Sequence, residues 1–198
     1  MSKEPRPLDN HLPLTEDQIR AVTVGELKPL SCRVLIVDYD PQWPGLFAHE
    51  ADRIQAVLGR RALRIEHTGS TAVPGLVAKP VIDILLVVTD SANEAMYVPA
   101  LESDGYSLRI REANWYEHRM FKRPDAEINL HVFSSGCPEI DRMLMFRNWL
   151  RSNAADRDLY APSWPWSRRN GSMSRITPMP RPSSSRRSSQ EPASIGNE

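Results

Sequence analysis

The sequence predicts a single α/β or α+β domain built on a mixed β-sheet with flanking helices. Three observations support this fold class. The chain has 198 residues, which is enough for one sizeable core. Its most apolar run, VIDILLVV at residues 81–88, has the length and β-branching of a strand buried on both faces. Before this run, strand and helix patterns alternate along the chain. After it come a helix pattern, three strand patterns and a final helix pattern.

Residues 1–31 are polar and proline-rich, and we predict a partly ordered N-terminal extension there. Thr15 is well placed to cap a short helix that ends at Val22. The first residues carry charge and proline without an apolar stretch, which argues against a secretory signal. Regular hydrophobic periodicity then places the domain at residues 32–160.

Within the domain, β-branched runs predict strands, and apolar residues at helical spacing predict helices. Gly59 and Gly105 are suited to helix ends, and Pro138 to a helix start. The predicted elements are, in order, a strand at 33–39, a helix from Leu46 to Gly59, strands at 62–66 and 81–88, a helix at 92–103, strands at 106–111, 118–122 and 127–133, and a helix from Pro138 to Leu150.

Composition excludes several classes of protein. The 25 basic and 25 acidic residues balance, so no charge excess points to nucleic acid or to a membrane surface. No stretch approaches the ~20 apolar residues of a membrane span. Two cysteines are too few for a disulfide framework, and we expect them in a reducing cytoplasm.

The C-terminal tail, residues 161–198, has a different composition. It holds ten Ser, six Pro and six Arg against two Glu, which predicts disorder. A basic arm for nucleic acid is one alternative. A third hypothesis is a frameshift from about Pro162, because plausible codons read one base out of register give KLALVAPQWEYVQDYADAKTVVVEE, an amphipathic and acidic peptide. If the tail results from a frameshift, its basic charge is no longer evidence for nucleic-acid binding.

One constellation carries chemistry: the run His67-Thr68-Gly69-Ser70-Thr71 at a strand end, then Lys79, then Asp83 inside the buried strand. A Gly-Ser turn leaves backbone N–H groups free to hold an anion such as phosphate. A carboxylate inside VIDILLVV requires a partner or a metal, which makes it a candidate site residue. The residues leave a second interpretation equally open, in which the turn is ordinary and Asp83 pairs with Lys79, Arg119 or the backbone.

Several segments resemble the GrpB family, a bacterial family with the nucleotidyltransferase fold. They are VDYDPQWPGLFAHEADRI, IEHTGSTAVPGLVAKPVIDILLVV, NLHVF and FRNWLRS, which together span roughly residues 33–160. The preceding LTEDQIRAVTVGELKPL resembles the N-terminal extension of some actinobacterial members. The resemblance implies a minimal nucleotidyltransferase fold. In some bacteria a similar domain is fused behind dephospho-coenzyme A kinase, whose P-loop this chain lacks.

The resemblance also implies roles for individual residues. Gly69 and Ser70 match the phosphate-holding Gly-Ser turn, and Asp83 matches the first acid of an Asp-x-Asp pair that binds Mg²⁺. Leu85 stands where the second acid is expected. The later strand, EINLHVF, offers Glu127, Asn129 and His131 as a third ligand. We therefore expect Mg²⁺ as the cofactor, held by Asp83 and Glu127, with Asp83 and His131 as the catalytic candidates.

Further polar residues complete the candidate phosphate or nucleotide site. His67, Thr71 and Lys79 accompany the Gly-Ser turn, and a lysine neutralises phosphate as a point charge. Of the neighbours His118 and Arg119, strand alternation brings only one to the site, and we choose Arg119. Arg147 and Arg151 lie at i,i+4 spacing on the last helix, where we expect a solvated face, with approach to the cleft as the alternative.

Two functions follow as expectations. The first, which we favour because Leu85 replaces an acid, is a fold that binds a nucleotide or another phosphorylated small molecule without catalysis. The alternative is a Mg²⁺-dependent nucleotidyl- or phosphoryl-transferase that uses Asp83, or an accessory module linked to dephospho-coenzyme A kinase. Phosphoryl transfer with two metal ions needs several carboxylates to hold the cations. Neither a membrane nor a nucleic acid is expected as a partner.

Overall fold

A computed structural model describes residues 15–26, 35–123 and 126–163. The start of the strand predicted at 33–39 and residues 164–198 of the tail lie outside these ranges. The elements are α1 (Glu16–Val22), α2 (Trp43–Leu58), β1 (Arg64–Thr68), β2 (Ile82–Val88), α3 (Val98–Ser103), β3 (Ser107–Glu112), β4 (His118–Arg123), β5 (Ile128–Ser134), α4 (Pro138–Ser152) and α5 (Ala154–Ser163). Three short 3₁₀ helices lie at Gly59–Arg61, Ser70–Ala72 and Glu94–Met96.

The sheet has five strands in the order β1-β2-β5-β4-β3. Strands β2 and β5 are parallel, and the other three neighbouring pairs are antiparallel. The mixed sheet with flanking helices confirms the predicted α+β fold class. The run at 81–88 forms β2, which is paired along both edges, and Ile84, Leu85 and Leu86 are fully buried there, as predicted.

The two faces of the sheet are covered by different helices. Ile84 and Leu86 belong to a large core with residues of α2 and α3, which we call the α2 face. Leu85 and Val87 pack with Ile140 and Met143 of α4 on the other side, which we call the α4 face. Because side chains alternate along a strand, Asp83 lies on the α4 face with Leu85.

Several helix termini are formed as the sequence predicts. Thr15 caps α1, and its hydroxyl accepts a hydrogen bond from the backbone N–H of Gln18. Gly59 ends α2 with φ +55°, and Pro138 begins α4. Among the described residues, no helix is both long and apolar enough to cross a bilayer.

Three predicted elements differ in the structure. In the described part of the run at 33–39, Val37 forms only an isolated bridge to Ala78, because its apolar side chains pack onto the α2-face core without joining the sheet. The helix predicted at 92–103 is split into a 3₁₀ turn and α3. Pro99 lies in the first turn of α3 and has no N–H, so it starts a helix and cannot continue one. Helix α5 was not predicted and extends past residue 160, the expected end of the domain.

Candidate functional site

Asp83 lies in a row of polar residues that crosses the sheet near the start of β2. The strand registers pair Asp83 with Thr68 of β1 and with Asn129 of β5, and Asn129 with Lys122 of β4. The Asp83 side chain is 26% exposed, so solvent reaches a carboxylate that stands inside an otherwise buried strand. The row is therefore an open polar patch at the edge of the α4-face core.

The Gly69 turn lies directly against Asp83. Gly69 has φ +70° and leads into the 3₁₀ turn at Ser70–Ala72. A Cβ added at residue 69 would come within 3.0 Å of the Cβ and Cγ of Asp83 and would overlap its carboxylate oxygen. Both the backbone conformation and the space therefore require glycine. The structure brings together the Gly-Ser turn and the acid that the sequence singles out.

The partner of Asp83 is an asparagine. Asn129 donates from Nδ2 to Asp83 Oδ1 at 2.8 Å, and His131 Nε2 lies 3.7 Å from the same oxygen. Neither Lys79 nor Arg119, the partners considered from the sequence, holds the carboxylate. The Oδ1 of Asn129 is buried and has no hydrogen-bond partner within the described part of the chain.

Lys79 and Lys122 supply positive charge beside this patch. The pKa of Lys122 is lowered, first by desolvation against the protein and next by the charge of Lys79, while Glu127 and Asp83 oppose the shift. Two ammonium groups near enough to act on each other attract an anion more strongly than one. This patch, which we call the Asp83 patch, comprises Gly69, Asp83, Asn129, Lys79 and Lys122.

His67 and Thr71 support the turn from inside the protein. The Thr71 hydroxyl donates to Val81 O at 3.0 Å, and His67 Nε2 lies 3.1 Å from the same hydroxyl. The His67 ring stacks on Phe47 at 4.8 Å between centroids. Burial lowers the pKa of His67 to about 4, although the charge of Asp83 opposes the shift. His67 is therefore neutral at pH 7. Its contact with the Thr71 hydroxyl and its stacking on Phe47 hold the turn in place.

The structure reverses the choice between His118 and Arg119. Arg119 points to the α2 face and donates to Glu94 at 2.5 Å and to Glu117 at 3.2 Å. His118 is the residue on the α4 face, opposite Glu112 in the strand register. The sequence does not show which residues of β4 face α4, that is, the phase of the strand. Met120 and Phe121 are neighbours and both are buried, so alternation of polar and apolar residues does not distinguish the two faces.

Three residues form a buried hydrogen-bonded chain that leads to Asp83, and we call it the Glu112–His118–His131 relay. His118 Nδ1 lies 2.9 Å from Glu112 Oε2, and His118 Nε2 lies 3.1 Å from His131 Nδ1. The ring of His118 lies between Trp115 and Phe133, at 5.2 and 4.7 Å between centroids. Burial lowers the pKa of His118 to about 4, although Glu112 raises it.

Three arginines of α4 and α5 bind the loop at residues 67–76. Arg147 donates to Glu66 at 2.7 Å and to His67 O at 2.8 Å, and it is 9% exposed. Arg151 donates to Ala72 O and Arg157 to Pro74 O, at 2.8 and 3.2 Å. The prediction of a solvated face is therefore wrong for Arg147, whose buried guanidinium group donates to a loop carbonyl, whereas Arg151 is exposed as predicted and also reaches Ala72 O. We call these three residues the arginine clamp.

The metal ligands expected from the sequence are only partly present. Leu85 is fully buried beneath α4, so no carboxylate occupies the second position. Glu127 is exposed, and no group of three His, Cys, Asp or Glu residues that could hold a metal occurs among the described residues. A carboxylate cage for two Mg²⁺ ions does not fit these residues. The available donors are one carboxylate, one amide oxygen and one imidazole nitrogen.

The sequence matches the family described as GrpB protein over residues 33–163. The chain belongs to the GrpB family. A UPF0157 protein of Halalkalibacterium halodurans is 63% identical over 152 residues, which cover 77% of this chain and 78% of that one. The solved structure of GrpB from Enterococcus faecalis superposes with a TM-score of 0.59 at 33% identity, over 65% of this chain and 79% of that one.

Two further likenesses are more distant. A dephospho-CoA kinase of Mycobacterium tuberculosis is 32% identical to this GrpB chain over 151 residues, which cover 63% of this chain but only 37% of that enzyme. The Cid1 poly(U) polymerase, solved with MgGTP bound, superposes with a TM-score of 0.44 at 13% identity, over 60% of this chain and 40% of that one. A likeness of that size says nothing about substrate.

Proposed function

We propose that this GrpB domain binds a nucleotide or another phosphorylated small molecule at the Asp83 patch. The observation that carries the proposal is that the Gly69 turn lies against Asp83, while the charges of Lys79 and Asp83 both act on Lys122. The described residues give neither lysine an ion-pair partner, so both ammonium groups are available to an anion. The backbone N–H groups of a Gly-Ser turn are suited to hold a phosphate.

The family resemblance supports the same ligand class. The Gly-Ser turn and Asp83 match the phosphate-holding turn and the first acid of nucleotidyltransferases, and the structure places them in contact. Similarity to part of a dephospho-CoA kinase makes coenzyme A a reasonable probe beside nucleotides. The buried Leu85 argues against catalysis with two metal ions, so we propose binding as the primary function.

Calorimetric titration of the full chain with MgATP, MgCTP and coenzyme A tests this function. We expect saturable binding of at least one of them. Lys122→Ala should weaken it about tenfold or more, because a hydrogen bond to a charged group contributes about 1.5–3 kcal/mol. Arg60→Ala is the matched control, since it removes an exposed positive charge before the start of β1, whereas Gly69 follows the end of that strand, and it should leave affinity unchanged. No binding of any probe contradicts the proposal.

Asp83→Asn separates the proposed function from the transferase alternative. If the patch only binds phosphate, removal of the carboxylate charge leaves binding intact or strengthens it, because a carboxylate repels an anion. If Asp83 holds Mg²⁺ for phosphoryl or nucleotidyl transfer, the variant loses metal-dependent binding and any product formation. Product analysis of the same incubations decides which outcome applies.

A further inference from the structure

The arginine clamp has hydrogen-bond donors that the loop at residues 67–76 does not use. A guanidinium group carries five N–H donors in a planar fork. Arg151 donates from Nε to Ala72 O at 2.8 Å, and the described residues give its two terminal nitrogens no partner. Because Arg151 is an exposed residue, the outer edge of its guanidinium group is open to a ligand.

Arg157 gives a second and independent indication of a bound ligand. It donates from Nη1 to Pro74 O at 3.2 Å. Its Nε is buried and has no hydrogen-bond partner in the described part of the chain, since Oδ1 of Asp158 lies 3.8 Å away, beyond hydrogen-bond distance. A buried N–H group of this kind is normally satisfied by a water or by an ion.

The arginines of the clamp are close to one another. Ala72 O and Pro74 O, the acceptors of Arg151 and Arg157, belong to residues two positions apart, and two residues extend at most about 7 Å. Desolvation lowers the pKa of Arg151, and the charge of Arg147 lowers it further. The clamp therefore concentrates positive charge on one side of the loop.

The described carboxylates compensate only part of this charge. Glu66 pairs with Arg147 at 2.7 Å. Asp158 is 76% exposed, so solvent screens its attraction to Arg157. Arg151 has no carboxylate within 4 Å among the residues that the structure describes. A bound carboxylate would supply one negative charge, whereas a phosphate monoester carries about 1.5–2 at pH 7 and matches the excess better.

We propose that Arg151 and Arg157 bind the phosphate group of a phosphorylated small molecule at a second anion site, which shares no residue with the Asp83 patch. The guanidinium fork matches a pair of phosphate oxygens, and the open edge of Arg151 presents that fork to solvent. Arg147 contributes its charge from the interior, where Glu66 and His67 O hold it. The site does not depend on the proposed function.

NMR of the arginine side chains in the full chain tests the site, with inorganic phosphate as the probe. Sodium chloride keeps the ionic strength constant at pH 7, so screening alone does not move the signals. We expect the Nε–H signals of Arg151 and Arg157 to shift saturably. Arg20 is the internal control, because it is 66% exposed on α1, which lies against β3 at the opposite edge of the sheet from β1.

This measurement needs no substitution, so a variant that fails to fold does not affect it. Absence of a saturable shift at Arg151 and Arg157 overturns the proposal. An equal shift at Arg20 overturns it as well, because phosphate would then associate with any exposed arginine.

Arg151→Lys and Arg151→Gln separate phosphate binding from a purely structural role. Lysine keeps the charge but cannot present two parallel donors, so we expect phosphate affinity, followed at Arg157, to fall about threefold to tenfold. Glutamine also removes the charge and should lower it about tenfold or more. Arg20→Gln should leave it unchanged. If Arg151 only holds Ala72 O, both variants lose stability in urea with unchanged phosphate affinity, which contradicts the proposal.

The two anion sites give separate answers. Two strands lie between β4, which carries Lys122, and β1, next to the clamp. Lys122→Ala should therefore leave the phosphate titration of Arg151 unchanged, and loss of that shift contradicts a second site. A saturable shift at Arg151 without binding of any nucleotide or coenzyme A supports the clamp site and contradicts the proposed function. Nucleotide binding that depends on Lys122, with no shift at Arg151, has the opposite meaning.

Discussion

At the scale of single residues, Gly69 is a position where the structure leaves no room for a side chain. Its positive φ and its contact with Asp83 both exclude a side chain. The sequence predicted the importance of Gly69 and Asp83, because a Gly-Ser turn and an acid in an apolar strand are both unusual. It offered Asn129 only as one of three candidate ligands beside Asp83 and chose Arg119 over His118, since these contacts depend on the strand register and on the phase of β4.

Gly69→Ala should destabilise the protein and abolish binding of phosphorylated ligands. A non-glycine residue at φ +70° and ψ −171° costs about 1–3 kcal/mol, and the overlap with Asp83 adds to this. Urea unfolding and calorimetry measure the two effects. Gly45→Ala is the matched control, because Gly45 lies in α2 with nothing within 4 Å of an added Cβ, and alanine there should be neutral or stabilising. Equal behaviour of the two variants would falsify the role of Gly69.

Because His67 is buried, we expect the protein to lose stability in mild acid. Burial lowers its folded-state pKa to about 4, below the unfolded value near 6.5. As pH falls, the unfolded chain therefore binds the proton before the folded chain does. The contribution of His67 to the free energy of unfolding is fully present above pH 6.5 and is lost as pH falls toward 4. Between pH 7.5 and 5.5 the loss is about 1 kcal/mol.

Urea unfolding at these two pH values measures the contribution of His67. His67→Asn should reduce the pH dependence by about this amount, whatever its effect on stability at pH 7.5. His49→Gln, which changes an exposed histidine, should leave the pH dependence unchanged. An identical pH dependence in His67→Asn and the unmodified chain contradicts the assignment.

At the scale of elements, the arginine clamp joins α4 and α5 to the loop at 67–76. From the sequence we favoured a solvated position for Arg147 over one at the cleft, because arginine at i,i+4 spacing is usual on a solvated helix face. Its burial depends on Glu66 and the carbonyl of His67, which only the folded sheet brings to α4. The predicted positions of β2, β3, β4, β5 and α4 were nearly correct because their apolar periodicity is strong.

Arg147→Ala should lower the free energy of unfolding by about 1.5–3 kcal/mol, because it removes charged hydrogen bonds to Glu66 and to a buried carbonyl. Arg64→Ala is a close control, since Arg64 also pairs with Glu66 but is 49% exposed, and exposed pairs contribute less than about 1 kcal/mol. Denaturant unfolding of the two variants measures the difference. Similar losses in both would show that Arg147 behaves as a surface residue.

At the scale of the whole molecule, the balanced charge of the chain is the sum of two unlike parts. Residues 161–198 carry a charge of +4 and residues 1–160 a charge of −4. The GrpB match ends at residue 163, close to the point where composition changes. The frameshift from about Pro162 remains a prediction of the sequence, and it accounts for the contrast in composition.

Resequencing the 3′ end of the gene tests the frameshift. We expect codons that give KLALVAPQWEYVQDYADAKTVVVEE when read one base out of register. A chain with the register restored should unfold at a higher temperature than the present one, because an amphipathic helix buries apolar surface. Codons that are incompatible with this peptide contradict the hypothesis.

The arginine clamp also has a thermodynamic consequence. Because α5 holds a carbonyl of the loop that begins beside Gly69, we expect opening of α5 and loosening of the Gly69 turn to be linked events. A ligand that orders the turn, as proposed above, should then slow amide hydrogen exchange in α5. In the other direction, α5 should contribute at a distance to the affinity for that ligand.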